Sequence, residues 1–174
     1  MAGDYDYWLS MDADNPPMKN PLDLIQLNLD IIGLPTPVWH FTGKIADPVT
    51  GKGERPVYWN AYRWNEKEKG YNEWAFKEGL QEVDAIGTGC FLINRRVFNH
   101  PEMRKAPFQR TWYEDGTVQY GNDISFCRKA KKNGFKIHAH YEYPCSHFNE
   151  LELNEVVRAF HGTGHRGGLN NGSN

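Results

Sequence analysis

The chain has 174 residues, 39% of them apolar and 14% aromatic, with six tryptophans and a formal charge of −2 at neutral pH. That length suits one domain with its own core, and the near-neutral balance gives no bulk attraction to nucleic acid or to an anionic membrane. No apolar run reaches transmembrane length and Met1-Ala-Gly-Asp is no signal peptide, so a cytoplasmic protein is expected.

The first element is an apolar strand over Tyr5–Met11 that ends in Asp12-Ala13-Asp14 and a Pro16-Pro17 turn. In open α/β sheets ligands bind outside the carboxyl ends of strands, so these two carboxylates are candidate oxygen ligands for Mg²⁺ or Mn²⁺. A polar turn is the plainer alternative. Asn20 as N-cap and Pro21 at the first position predict a helix carrying Leu22, Ile25, Leu29 and Ile32, closed by Gly33 and well buried. Val38–Phe41 and Pro56–Trp64, separated by the turn-rich 47–54 loop, predict an irregular β-hairpin carrying Trp39, Trp59 and Trp64. Lys67–Gly79 reads as a loop with a short helical turn.

Val83–Ile86 is expected as a strand running through Gly87-Thr88-Gly89-Cys90 into the strand Phe91–Ile93. Glycines at alternate positions allow close approach to a ligand, or relieve crowding between strands. A brief helix over Asn94–His100 precedes an irregular 101–113 stretch. Asn122 or Asp123 then caps a helix running to Asn133, with Phe126, Cys127 and Ala130 inward and Gly134 closing it. Phe135–Tyr141 alternates strictly, placing Phe135, Ile137, Ala139 and Tyr141 on one face and His138 and His140 on a solvated one. A last helix is expected over Leu151–Phe160, so the domain spans 1–160, and a Gly/Asn-rich disordered tail covers 161–174. Cys90, Cys127 and Cys145 lack close spacing and are odd in number, which predicts reduced, buried thiols rather than disulfides or a zinc site with His147.

Taken together, Asp12-Ala-Asp14 after an apolar strand, the Gly87-Thr-Gly89-Cys-Phe-Leu-Ile run, Gly121-Asn-Asp123-Ile-Ser-Phe-Cys opening a helix, Asn133-Gly-Phe-Lys-Ile and then His147 resemble the second half of a GT-A-fold, family-2-type glycosyltransferase. The resemblance covers about residues 5–155 and rests on the order of the pieces. It implies an α/β fold with a partial GT-A-like mixed sheet flanked by helices, and a metal-dependent transfer of sugar from a nucleotide-diphosphate sugar to a hydroxyl acceptor. By the same resemblance Asp14, Asp12 and His147 hold Mn²⁺ or Mg²⁺, Asp123 is the catalytic base, and Gly87, Thr88, Gly89, Asn122 and Trp112 lie along donor and acceptor. Asn122 departs from the acidic-acidic pair usual at that helix start. The nucleotide-binding half that normally precedes Asp12 is not represented, which leaves the Tyr5–Met11 edge open to a second copy or a partner chain.

Two other functional classes stand beside this one. A non-catalytic glycan- or protein-binding module, or one half of a split enzyme, would bind through its tryptophans without metal. A metal-dependent phosphohydrolase would use the same Asp pair to release inorganic phosphate.

Overall fold

A computed structural model describes residues 5–39 and 57–148; the expected 47–54 loop, the Leu151–Phe160 helix and the tail lie outside the described residues. The fold is α/β. β1 (Tyr7–Met11), β2 (Ile31–Gly33), β7 (Leu80–Val83), β9 (Cys90–Asn94) and β12 (Ile137–His140) form a five-stranded mixed sheet in the order β1-β9-β2-β12-β7. β2 and β12 run parallel, and the other neighbours run antiparallel. β3 (Pro37–Trp39) pairs with β4 (Val57–Trp59), as the expected hairpin requires. β5 (Ala61–Asn65) lies between β6 (Gly70–Glu73) and β8 (Ala85–Ile86), and β10 (Thr111–Trp112) pairs with β11 (Val118–Tyr120).

Both faces of the sheet centre are covered, and its strands β2 and β9 are apolar at nearly every position rather than at alternate ones. On one face Phe91, Ile93, Ile31, Ile137 and Ala139 meet Phe126, Cys127 and Ala130 of α3 (Asn122–Lys132), with Val97 of α1 (Arg95–Asn99) and Met103 of α2 (Pro101–Arg104). Phe108 stacks on Phe126 at 4.6 Å, and Phe91 meets Phe126 edge-on at 5.9 Å. On the other face Ile32, Leu92 and Cys90 pack with Leu24, Leu34 and Cys145.

Several expected elements differ. The helix after Asn20 is a 3-10 helix over Pro21–Leu27 only; Asn20 caps it as expected, accepting from the Leu22 amide at 3.1 Å. Asn28 ends it in the left-handed region at φ 47°, where Arg96 donates to both its carbonyl (2.8 Å) and its side-chain oxygen (3.0 Å). Asp30 then accepts from Arg96 Nε and the Lys136 amide, fixing Ile31-Ile32 as the central strand. The helical spacing of Ile25, Leu29 and Ile32 therefore joins two elements. The short helix buries only Pro21 and Leu24, leaving Leu22 51% exposed.

The expected Pro56–Trp64 strand breaks at Asn60, and the expected Val83–Ile86 strand breaks at Asp84, where the chain leaves one sheet for another. The 67–79 stretch holds no helical turn; β6 returns along β5 after a turn with Lys69 at φ 51°. The 101–113 region contains α2 and β10, and two-residue β10 forms a bulged hairpin with β11. His138 is not on a solvated face: it is 8% exposed, in register between Ile32 and Glu82. Burial lowers the pKa of both His138 and His140.

Candidate functional site

The turn after β1 is stitched to two other segments by main-chain hydrogen bonds. The Asp12 amide donates to the Gly89 carbonyl at 2.7 Å, and the Asn15 amide to the Asp12 carbonyl at 3.0 Å. The Met18 amide donates to Pro144, Ser146 to Pro16 and Phe148 to Asp14, at 3.0, 3.0 and 2.8 Å, with an antiparallel bridge between Pro17 and Cys145. Residues 12–18 and 144–148 thus form an antiparallel ribbon, and this ribbon carries His147 to Asp14.

His147 Nε2 lies 3.6 Å from Asp14 Oδ2. Its Nδ1 lies 2.7 Å from the Pro37 carbonyl, which can only accept, so Nδ1 carries a proton and Nε2 faces Asp14. The imidazole forms a wall, with its side chain 19% exposed, while the Asp14 side chain is 53% exposed. Burial, and then the neighbouring Asp14 charge, raise the pKa of Asp12, and His147 opposes them. Two carboxylates and an imidazole therefore share one electrostatic neighbourhood. Among the described residues no group of three or more His, Cys, Asp or Glu side chains is gathered closely enough to enclose a metal. Asp14 and His147 offer an open pair of donors, with Asp12 beside them.

Gly89 and Gly87 are small because asparagines occupy their side-chain space. A Cβ on Gly89 would collide with the buried Asn15 side chain, and one on Gly87 would sit 2.5 Å from Asn60 Nδ2. Asn60 cannot swing away: its Oδ1 accepts from the Thr36 amide (2.9 Å), its amide donates to the Thr36 carbonyl, and its carbonyl accepts from Gly87. Thr88, between the two glycines, is half-buried. Behind the ribbon the Cys90 thiol hydrogen-bonds to Cys145; that bond and then burial raise the pKa of Cys90, while the same bond lowers that of Cys145 against the opposing effect of burial. Cys127 lies on the other face of the sheet, hydrogen-bonded to the Ile86 carbonyl and pushed up to about 12 by burial, so the three thiols and His147 do not converge.

Asp123, Asn122 and Trp112 belong to a second group around α3 and the β10–β11 hairpin. The N-cap of α3 is Gly121, with no side-chain cap bond, so neither Asn122 nor Asp123 fills that place. Asp123 sits in the first turn, and its Oδ1 accepts from the Ile124 amide at 2.8 Å. Burial, then Tyr58 and then Asp123 raise the pKa of Tyr62, whose phenol hydrogen-bonds to Tyr58. Asn122 is exposed and Trp112 is 56% exposed. Among the described residues no hydrogen bond or ion pair joins this group to Asp14 and His147. Trp59 is packed edge-on against Tyr141 at 6.2 Å, and Trp64 against Tyr71 at 5.1 Å. Asn15 and Asn60 escaped the sequence reading because a buried asparagine that fills a glycine's space leaves no spacing signal.

No protein-family model and no curated protein matches the chain. The crystal structure of A197 from STIV matches at the level of fold, with a TM-score of 0.50 and 16% identity, over 84% of this chain and 60% of that one. The chain thus spans 60% of the length of that protein.

Proposed function

We propose that the chain is the metal-binding, acceptor-side part of a GT-A-like glycosyltransferase that moves a sugar from a nucleotide-diphosphate sugar to a hydroxyl acceptor. The observation that carries the reading is the Asp14–His147 pair at the carboxyl end of β1, its imidazole proton fixed on Nδ1 by Pro37. Metal-binding histidines commonly donate their second ring nitrogen in this way. The donor set fits: one or two carboxylates suit Mg²⁺ or Mn²⁺ whose other positions go to phosphate oxygens, and the imidazole favours Mn²⁺. Asp14 and His147 would hold the ion directly, with Asp12 adding charge.

When bound, the cation supplies stabilisation of the charge that builds on the departing diphosphate. Asp123 takes the proton of the acceptor hydroxyl, and the exposed face of Trp112 packs on the sugar. Free, buried Cys90, Cys127 and Cys145 support a reducing, cytoplasmic setting. No helix among the described residues is long and apolar enough to cross a membrane.

The test is a calorimetric titration of UDP and GDP with and without Mn²⁺. Manganese-dependent binding is expected in the wild type, lost in Asp14→Ala and kept in Asp123→Asn, with sugar transfer lost in both variants. Undiminished transfer by Asp14→Ala would overturn the assignment. Glycan binding without metal or nucleotide would favour the non-catalytic module, and release of inorganic phosphate the phosphohydrolase.

A further inference from the structure

We propose that a cleft beside α3 binds a phosphorylated saccharide, at a site separate from Asp14 and His147. The cleft, about 800 Å³, lies between α3, the 106–111 segment and the Trp64–Tyr71 wall of β5 and β6. That volume is in the range of small-molecule sites. It shares no lining residue with the proposed metal site.

Its electrostatics set it apart from the rest of a chain whose net charge is −2. Arg110, Arg128, Lys129, Lys131 and Lys132 line it, against the single carboxylate of Asp84. Of these five, only Lys131 has a carboxylate partner among the described residues: Asp84, which also pairs with Arg63. Lys129 donates to the Lys105 carbonyl, which leaves its charge uncompensated. Among the described residues neither Arg110 nor Lys132 has a carboxylate partner. The helix dipole accounts for lysines in the last turn of α3. It accounts neither for Arg110, from another segment, nor for Arg128, which precedes that turn.

Arg128 is held in place without being neutralised. Its guanidinium lies 4.5 Å from the Tyr120 ring centre and 5.2 Å from that of Trp64, and its Nη1 is 3.5 Å from the Tyr71 hydroxyl. Aromatic rings orient a guanidinium while leaving its net charge for a ligand. The Thr111 and Ser125 hydroxyls, 3.4 Å apart, stand on the same wall. A fixed guanidinium, unpaired ammonium groups and hydroxyls together are the donors that a phosphate ester recruits. Trp64 and Tyr71 supply the apolar surface against which a sugar ring packs.

The test is a calorimetric titration of trehalose monophosphate, trehalose and inorganic phosphate into the full chain without metal or nucleotide, so its result does not depend on the glycosyltransferase reading. Trehalose monophosphate is expected to bind more tightly than either control. The double substitution Arg110→Gln and Lys132→Gln, on exposed side chains that leave the fold intact, should weaken it by about tenfold or more, the scale of one charge-assisted hydrogen bond. Absence of binding, equal binding of trehalose, equal binding of inorganic phosphate, or an unaffected double variant that folds normally by circular dichroism would each overturn the proposal.

Discussion

His147 and Asp12 show how single residues set the character of the candidate site. The Pro37 carbonyl holds the His147 ring through Nδ1, so that Nε2 faces Asp14. Asp12 carries the opposing cost, since burial and Asp14 raise its pKa. A carboxyl raised in the folded state binds its proton more readily there than in the unfolded chain. Its stabilising contribution is present below the ordinary aspartate range and is lost as pH rises through the raised value. In metal-free protein Asp12→Asn should therefore be the more stable form at neutral pH, with its advantage shrinking as pH falls into that range. Thermal melts across pH check this, and parallel curves for the two proteins would refute it. With Mn²⁺ present the sign should reverse, because the variant loses charge that favours the cation.

At the scale of elements, the ribbon of residues 12–18 against 144–148 and the Gly87–Gly89 connection position the site. Gly89 serves both, since its carbonyl receives the Asp12 amide while its bare Cα leaves space for Asn15. Gly89→Ala should therefore destabilise the fold by about 1–3 kcal/mol, the usual cost of overpacking. It should also weaken manganese-dependent nucleotide binding, because Asn15 lies next to Asp14. Adding Asn15→Ala should recover part of the stability in a urea titration. If the single and double variants unfold alike, Asn15 is not what the alanine meets. The two asparagines support the crowding reading of the glycine pair, with Thr88 half-buried between them.

At the scale of the whole molecule, β1 is an edge strand of the five-stranded sheet, paired among the described residues with β9 alone. Trp8 packs against Phe91, Phe98 and Phe108 yet stays 37% exposed, and Leu9 and Met11 are 36% and 54% exposed. No charged residue interrupts the strand, and such an edge is a template for another strand. The chain should therefore self-associate along β1, and Leu9→Lys should shift it toward monomer in light scattering with unchanged circular dichroism. A wild type that is monomeric at every concentration would sink this prediction.

The sequence by itself determined the elements whose apolar pattern is both local and unbroken. The α3 helix, with Phe126, Cys127 and Ala130 inward, and the β12 strand follow from side-chain pattern, and the β1 and β9 strands from short apolar runs. The order of Asp12, Asp14, Gly89, Asp123 and His147 could be read there too, but order carries no distance. Tertiary structure decided where Ile31-Ile32 left a helical pattern for the sheet centre, because Arg96 and Asp30 clamp Asn28 and Lys136 from far along the chain. It also buried His138, since the sheet is covered on both faces. The meeting of Asp14 with His147, and of Arg110 with Arg128, was decided there as well. Backbone hydrogen bonds and charge proximity between segments distant in sequence are properties of the folded arrangement, and no local pattern encodes them.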